Sequence, residues 1–287
     1  MKTFETALNL IQKQDRLWLL GWMAGMAIVW TWDYFFLNAP ALRLIESAFL
    51  NTGLVSLLAV FFALLWSWPA AVTLHFIESK RPVYMSVIFF LNIVRSVPQI
   101  LGVLIGYTVL TVLIERELLE SSDAKLWAMA LVISFVVFLE LLDSLRERIR
   151  WFQRSDFYPA MLVSGVSESR IIQYDILWKN SRSHIINKLI AMFGTAVFLQ
   201  CSIDFIISVG LSTEVSSQNF PATLGSLLAK MDSKKDILAI GNSLFNPEYI
   251  PRLFTTHLQG ITVAFLIVFS LLSIYMINRV FALRKRL

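Results

Sequence analysis

The sequence predicts an all-α integral membrane protein with six transmembrane helices and both termini in the cytoplasm. The first observation is composition: 57% of the 287 residues are hydrophobic and 16% are charged, with a mean hydropathy of +0.66. A soluble domain has roughly 45–50% apolar and about 25% charged residues. One or two soluble cores of ordinary surface-to-volume ratio could not bury this excess, so lipid must cover it. The other two observations are the length of the apolar stretches and the placement of the basic residues.

Six stretches carry about the 20 apolar residues that a helix needs to cross the hydrocarbon core. In chain order they are Leu17–Leu37, Ala48–Phe76, Val83–Ile114, Leu126–Leu142, Ile185–Val209 and Leu258–Phe281. They are predicted to be helices, because hydrocarbon offers no water to satisfy backbone amides. The second and third stretches exceed the minimum length and are expected to tilt or to extend beyond the bilayer.

The first stretch is predicted to be a membrane span rather than a cleavable signal. It is longer than the core of a signal peptide, which runs about 7–15 residues, and no clear small-x-small cleavage site follows it. Its ends carry aromatic side chains, as expected for anchors at the membrane surface. These residues are Trp18, Trp22, Trp30, Trp32 and Tyr34.

The basic residues predict the orientation of the spans. Sixteen of the 25 lysines and arginines fall in the amino terminus, the second and fourth connections and the carboxyl tail, and seven fall in the other connections. The remaining two, Arg95 and Lys188, lie inside or at the ends of spans. Because short basic connections stay in the cytoplasm, both termini and the fourth connection are assigned there. The net charge of +5 therefore indicates orientation rather than a nucleic-acid partner.

Two connections are far longer than the usual 2–8 residues or so, and are therefore predicted to carry function. The cytoplasmic one, 143–184, is expected to continue the fourth span as a basic helix and then to form a helix–turn–helix. Gly165 would end the first short helix and Ser167 would cap the next. A solvated amphipathic loop is the alternative. The external connection, 210–257, mixes glycine and proline with apolar runs such as Leu224–Leu228, and predicts a folded cap or short re-entrant helices.

The stretch Asp156–Asn180 resembles the cytoplasmic EAA loop of ABC importer permeases. The matching positions are Asp156, Phe157, Ala160, Gly165, Ser167, Arg170-Ile171-Ile172 and Ile176-Leu177. The external connection is similar to the segment after the fifth span in dipeptide, oligopeptide and nickel permeases of the second-subunit type. That likeness is carried by Gly210, Pro221, Gly225 and Leu227-Leu228. Arg95-Ser96-Val97-Pro98 also resembles the Arg-Ser-Ile-Pro run of importer permeases.

Three positions depart from the family's loop. Its glutamate is Pro159 here, its second alanine is Met161, and its closing proline is Trp178. In the family, that glutamate and the glycine shape a coupling helix that docks in a groove of the ATPase subunit. The departures are interpreted as those of a divergent permease with a co-diverged ATPase, or of a degenerate subunit that no longer couples well.

The resemblance implies one transmembrane permease domain over 1–287, with the architecture of a type I, binding-protein-dependent importer in the bacterial cytoplasmic (inner) membrane. The chain has no GxxxxGK[ST] motif, so ATP and Mg would bind to partner subunits, and this chain would hold no cofactor and catalyse no reaction. The implied partners are a second permease subunit, two ATPase subunits, a periplasmic or external solute-binding protein and membrane lipid, but no nucleic acid. The implied solute is peptide-like or a metal chelate. The implied ATPase-coupling residues are Pro159, Ala160, Gly165, Ser167, Arg170, Ile176, Leu177 and Trp178.

Three polar side chains within the spans are candidates for lining a translocation path. Asp204 lies well inside the fifth span, where an ionisable group costs roughly 2.5–3.5 kcal/mol and should face the bundle interior or water. Gln200 precedes it by one helical turn, and Arg95 lies in the third span. A structural hydrogen bond to another helix is the alternative for Asp204. For Arg95 the alternatives are internal pairing or snorkelling to the cytoplasmic surface.

Other polar residues of the spans are expected to be structural. Glu140 and Asp143 are predicted to be solvated or to pair with nearby Arg146. The three histidines fall at the ends of different spans, which argues against a metal site. The single cysteine, Cys201, is expected to be a small packing residue.

Three other classes of protein are alternatives to a permease. An enzyme would need a nucleophile–base set or a metal pair, and H-E-x-x-H, G-x-S-x-G and clustered acid pairs do not occur in the sequence. A secondary transporter would carry more intramembrane charge and inverted repeats. A degenerate or accessory membrane scaffold would need no ATPase docked at 156–180, which distinguishes it from a working permease.

Overall fold

The computed structural model describes residues 2–210, 220–230, 239, 241–255 and 257–283, and every regular element in these ranges is a helix. The helices are α1 (Lys2–Phe36), α2 (Ala39–Ile77), α3 (Arg81–Ser96), α4 (Gln99–Glu115), α5 (Ser122–Gln153), α6 (Phe157–Val163), α7 (Glu168–Arg170), a π-helix (Ile171–Asn180), α8 (Arg182–Gly210), α9 (Leu224–Lys230) and α10 (Leu258–Leu283). A 3₁₀ turn (Pro247–Tyr249) and a helical turn (Ile250–Leu253) precede α10. The all-helical prediction is confirmed for this part of the chain.

By length and apolar composition, four helices can cross a membrane: α2, α5, α8 and α10. α3 and α4 qualify as a fifth span only when they are taken together. The chain is therefore a multi-pass membrane protein with four or five candidate spans among the described residues. The first of the six predicted spans lies in α1, which is not among these candidate spans. Four tryptophans and Asp33 lower the mean hydropathy of its apolar stretch.

The third predicted span, Val83–Ile114, is not one continuous helix. The chain breaks at Val97 and Pro98, and α3 and α4 meet at 90°. Proline lacks an amide hydrogen and drives the residue before it to extended geometry. Val97 accordingly has φ −80° and ψ 123°, and α4 begins after Pro98. The expectation of an uninterrupted span was therefore wrong at this point.

The largest hydrophobic core lies between α2, α5 and α8. Small side chains let α2 approach α5 closely, because Ala59, Ala63 and Ala71 are fully buried in the same cluster as Ile133 and Leu141 of α5. A second cluster joins α2, α8, α9 and α10, and α1 packs along α10. α2, α5 and α8 are thus packed together, and they position most of the polar side chains described below.

Side-chain caps begin two of the long helices. Asn38 Oδ1 accepts a hydrogen bond from Ala41 N at 2.9 Å at the start of α2, and Ser121 Oγ accepts one from Ala124 N at 3.1 Å at the start of α5. α5 then runs on to Gln153, well past the predicted span end. This extension confirms the basic helix predicted to follow the fourth span.

Within the predicted external cap, 210–257, the apolar run at Leu224–Leu228 is present as α9. α9 packs mainly against α8 and also touches α2 and α10. The parts of the predicted cap at 211–219, 231–238, 240 and 256 lie outside the described residues. The described part of the cap therefore consists of short helical segments, of which α9 is packed on the bundle.

Candidate functional site

The segment predicted to couple to a partner forms a helical hairpin, 157–180. α6 ends at Val163 and the chain reverses at Gly165, whose φ of +81° lies in the left-handed region that favours glycine. Gly165 N donates to Leu162 O at 3.0 Å. Val166 N donates to Met161 O at 3.2 Å. These two bonds make a Schellman motif, so the predicted role of Gly165 in ending the first short helix is confirmed.

The second arm of the hairpin is mostly a π-helix. Ser167 stands at its start with an extended backbone (φ −62°, ψ 137°), but the Ser167 hydroxyl makes no capping hydrogen bond. α7 passes directly into the π-helix. At ten residues this π-helix is unusually long, since most π-helices are single-turn bulges. Such bulges occur frequently at functional sites. Residue 178 is Trp, which unlike a proline can continue a helix. The helix therefore continues past it, and only Ser181 separates the π-helix from α8.

One face of this arm is buried in the chain's own core. Ile171, Ile172, Ile176 and Leu177 are fully buried in the cluster that α5 and α8 also build. Ile176 and Leu177, predicted as ATPase-coupling residues, therefore root the hairpin and present no surface to a partner. The physical reason is that the arm is amphipathic and its isoleucines and leucine fill the gap next to α5 and α8.

The other predicted coupling residues are all exposed. They are Pro159, Ala160, Gly165, Ser167, Arg170 and Trp178. Large apolar side chains are exposed on the same hairpin: Val163 is 90% exposed, Trp178 57% and Tyr174 52%. Leu162 on the same hairpin is 41% exposed. Large exposed apolar side chains on one surface element are candidates for contact with a protein partner or a membrane.

A hydrogen-bonded network ties both arms of the hairpin, at Tyr158 and Glu168, to α2 and α5. Glu168 Oε1 lies 2.9 Å from His75 Nε2 and accepts a hydrogen bond from the Tyr158 hydroxyl at 2.6 Å. His75 Nδ1 lies 3.4 Å from Gln153 Nε2 at the end of α5. With Gln153 donating to Nδ1, the neutral imidazole donates through Nε2 to Glu168. Sequence reasoning missed this network, because His75 and Glu168 are 93 residues apart.

The network also sets the protonation of its two acids. The hydrogen bond from Tyr158, and then the one from His75, hold the pKa of Glu168 below its usual range. Burial, and then the neighbouring Glu168, raise the pKa of Tyr158 to about 12. At neutral pH the carboxylate is therefore ionised and the phenol protonated, which is the state in which a charge-assisted hydrogen bond forms.

Two predicted path residues meet inside the bundle. Gln200 and Asp204 lie one turn apart on α8, and both are buried. Ser56 Oγ of α2 donates to Gln200 Oε1 at 3.2 Å, and Thr223 Oγ1 donates to Asp204 Oδ2 at 2.6 Å. Tyr107 of α4 is fully buried next to the Asp204 carboxylate, without a hydrogen bond of ordinary geometry. We call these five residues the polar centre.

The polar centre leaves two donors, Gln200 Nε2 and the Tyr107 hydroxyl, without a hydrogen-bond partner of ordinary geometry among the described residues. The Nε2 group of Gln200 has no hydrogen-bond partner among the described residues, although Gln200 is fully buried. Asp204 faces the bundle interior, as expected for an ionisable group in a span. An unpaired buried amide is costly unless another group or a water reaches it. The polar centre therefore places a buried carboxyl group and an unpaired amide one helical turn apart in the bundle interior.

α9 closes one side of the polar centre. Leu224 N donates to Thr52 Oγ1 of α2 at 3.0 Å. Gly225 approaches α8 so closely that a Cβ at this position would lie 2.3 Å from Cys201 O. Only glycine fits this contact. Cys201 is buried beneath α9, in agreement with its predicted packing role.

Arg95, the third predicted path residue, has a different set of partners. It lies in the last turn of α3 and donates to Asn92 Oδ1 at 3.0 Å and to Asp143 Oδ1 of α5. The ion pair with Asp143 is the internal pairing that was one of the alternatives for Arg95. The structure therefore groups Gln200 with Asp204 and places Arg95 at the break between α3 and α4.

Of the two alternatives for Glu140 and Asp143, pairing with Arg146 is not seen among the described residues, whereas Asp143 is exposed, as expected for a solvated helix end. Lys188 Nζ and Gln99 Nε2 donate to the two oxygens of Glu140 at 2.8 and 2.7 Å. Arg146 instead donates to the Tyr84 hydroxyl at 2.7 Å. Residues of α3, α4 and α8 therefore make the contacts that were expected from Arg146 of α5. Sequence spacing along one helix could not show these partners.

The histidines do not gather at one place. In the part of the chain that the structure describes, no three His, Cys, Asp or Glu side chains are grouped so as to hold a metal ion. His75 contacts Glu168, and His184 Nε2 lies 3.0 Å from Ser144 Oγ. These histidines are therefore engaged by side chains of their own surroundings.

The fold and these contacts define the class: a multi-pass helical membrane protein that projects a hairpin with exposed apolar side chains from one end of its bundle. Comparison of the chain with protein-family models, with curated proteins and with solved structures finds no match.

Proposed function

We propose that this chain is a permease subunit of an ATP-driven importer of the ABC class. It would form half of the path for a peptide-like or metal-chelate solute that an external binding protein delivers. The observation that carries the proposal is the hairpin, whose second arm is buried at its root and which exposes Val163, Tyr174 and Trp178. A rooted hairpin with an apolar surface is suited to receive a partner and to pass on its movement.

The connection between the hairpin and the polar centre supports a mechanical role. The π-helix is joined to α8 through Ser181 alone, and its buried side chains pack against α5 and α8. Asp204 lies about 33 Å along α8 from Arg182, at a rise of about 1.5 Å per residue. Because packed interiors shift as rigid units rather than deform smoothly, a push on the hairpin would displace α8 and with it Asp204 and Gln200.

The remaining features of the proposal follow from the resemblance and the charge distribution. α1 and the α3–α4 pair would complete six membrane segments, with both termini in the cytoplasm of a bacterial inner membrane. The excess of basic residues in the hairpin connection and at the termini supports this orientation. Two ATPase subunits, which hold ATP and Mg, would dock on the hairpin, and a second permease subunit would form the other half of the path.

Two substitutions at Gly165 test the proposal. Gly165→Ala and Gly165→Trp both place a side chain on a residue with φ +81°, at a similar backbone cost of roughly 1–2 kcal/mol. A Cβ built on Gly165 meets nothing within 4 Å inside this chain. The first side-chain atom therefore has free space at this turn, the bulk of the tryptophan is the test for a docked partner, and the alanine is the matched control for backbone strain.

The measurement is made on the complex purified from membranes in mild detergent through a tag on this chain, with its partners identified by mass spectrometry. We expect an ATPase and a second integral membrane protein with the wild type and with Gly165→Ala. The ATPase should be lost from Gly165→Trp, and substrate-stimulated ATP hydrolysis should fall in parallel. A wild-type complex without an ATPase, or normal coupled transport by the tryptophan variant, would contradict the proposal.

A degenerate or accessory subunit without transport coupling is the second candidate. The observation that favours it is the replacement of the family's glutamate by Pro159 and of its closing proline by Trp178. Such a subunit would retain its membrane partners, and neither Gly165 variant would change ATP hydrolysis by the complex.

A further inference from the structure

A cleft lies at the break between α3 and α4, against α5. Its volume is about 570 Å³, within the range of roughly 300–1,000 Å³ that is typical of small-molecule sites. Ile105, Phe135 and Leu139 line its apolar part, and Arg95 and Asp143 line its polar end. The cleft exists because α3 turns away by 90° after Ser96 and leaves α4 and α5 uncovered beside the break.

The apolar part of the cleft is open on the side that lipid chains would occupy. Ile105 is 62% exposed and Phe135 is 55% exposed. Phe135 belongs to α5, which is long and apolar enough to cross a membrane, and Ile105 belongs to α4, which qualifies only together with α3. The natural occupant of such a surface is a hydrocarbon chain, because any polar occupant would leave these side chains without an apolar neighbour.

The polar end lies where apolar side chains give way to charged ones along α5. Residues 126–139 contain no Asp, Glu, Lys or Arg, and Glu140 and Asp143 follow at once. Phospholipid headgroups occupy the corresponding level at a membrane surface, just outside a hydrocarbon core of about 30 Å. A lipid with its chains along Phe135 would therefore have its headgroup beside Asp143.

The charges of the polar end match a headgroup that carries both signs. Arg95 and Asp143 pair with each other, yet 31% and 49% of their side-chain surfaces remain accessible. A guanidinium has five N–H donors, so Arg95 keeps donors beyond those used on Asn92 and Asp143. Only one oxygen of Asp143 accepts a hydrogen bond from the described residues. Glu140 is already satisfied by Lys188 and Gln99.

We propose that this cleft binds one zwitterionic aminophospholipid, with its phosphate on Arg95, its ammonium on Asp143 and its acyl chains along Ile105 and Phe135. A headgroup with one sign of charge would satisfy one member of the pair and repel the other. The proposal does not depend on the proposed importer function, since it requires only that the chain lies in a membrane.

Native mass spectrometry of the purified full chain tests this assignment. The chain is reconstituted in vesicles of equal parts phosphatidylethanolamine, phosphatidylcholine and phosphatidylglycerol, and the lipids retained on release are identified. We expect one phosphatidylethanolamine in about tenfold excess over each of the others, because only its primary ammonium donates a charge-assisted hydrogen bond to Asp143 while its phosphate binds Arg95.

Matched double variants separate the cleft from general effects of charge. Arg95→Gln with Asp143→Asn removes both charges without leaving one unpaired, and should abolish the selective retention. Glu78→Gln with Arg150→Gln makes the same change at the exposed Arg150–Glu78 pair, which does not line the cleft, and should leave retention unchanged.

A third variant, Ile105→Trp, fills the apolar part and keeps both charges of the cleft, and it should also lose the lipid. Equal retention of the three lipids, or undiminished retention by the first double variant or by Ile105→Trp, would overturn the assignment. So would a wild-type chain that carries no lipid and a protein subunit bound across α4 and α5, which would make the cleft a protein interface.

Discussion

Substitution of Gly225 by alanine should loosen the contact between α9 and α8. The new Cβ would lie 2.3 Å from Cys201 O and 2.7 Å from Cys201 Cα, which are backbone atoms and cannot rotate away. Alanine gains about 0.5–1 kcal/mol from its higher helix propensity. Overpacking of this kind costs typically about 1–3 kcal/mol, and movement of α9 also weakens the hydrogen bond from Thr223 to Asp204. We therefore expect α9 to open more easily by about 2 kcal/mol.

The single cysteine of the chain makes this opening measurable. Cys201 is 6% exposed beneath α9, so its reaction with a maleimide reports how often α9 moves away. If labelling follows the opening equilibrium, a change of 2 kcal/mol corresponds to ~30-fold faster reaction. Gly53→Ala in α2 is the matched control, because a Cβ there meets nothing within 4 Å. Labelling of Gly225→Ala at the wild-type rate, with unchanged thermal unfolding, would refute the close approach of α9 and α8.

Three further predictions concern the hairpin, the polar centre and the orientation. Because the fold lowers the pKa of Glu168, its hydrogen bonds contribute fully above the ordinary carboxyl pKa and are lost as the pH falls through the lowered value. Tyr158→Phe should therefore raise the pKa of Glu168 in a titration of its side-chain carboxyl ¹³C shift, and an unchanged midpoint would show that the Tyr158 hydroxyl does not hold the carboxylate. Asp204→Leu leaves the Thr223 hydroxyl without its acceptor, at a cost of about 1–3 kcal/mol, and should reduce solute uptake without preventing complex assembly. Unchanged uptake would limit Asp204 to a structural role. A tag within 212–256 should be labelled from outside in intact spheroplasts and tags at either terminus should not, and the opposite pattern would reverse the topology.

The long helices were predictable because their signal is local and additive. Stretches rich in leucine, isoleucine, valine and phenylalanine predicted α2, α5, α8 and α10 without knowledge of any contact. The break at Pro98 was not predicted, although the run Arg95-Ser96-Val97-Pro98 was noted for its resemblance to the Arg-Ser-Ile-Pro run of importer permeases. Apolar residues continue on both sides of it, so composition alone joined α3 and α4 into one span.

The candidate site was predictable only where the chemistry of a single residue restricts its environment. Asp204 had to face the interior, since a carboxylate in hydrocarbon is too costly otherwise. The identity of its partner, Thr223 just before α9, depends on a chain reversal that composition does not encode. The same holds for His75, whose contact with Glu168 requires α2 and the hairpin to meet.

By itself, the sequence determined that this chain is helical and membrane-embedded, and it indicated Gly165 as the end of a short helix. Composition, segment length and the backbone freedom of glycine decide these features residue by residue. Only the tertiary structure decided that Ile176 and Leu177 root the hairpin, that Arg95 pairs with Asp143, and which polar groups lie near Asp204. The physical reason is that the free energy of a buried side chain depends on the neighbours that distant helices bring to it, and these neighbours exist only in the packed bundle.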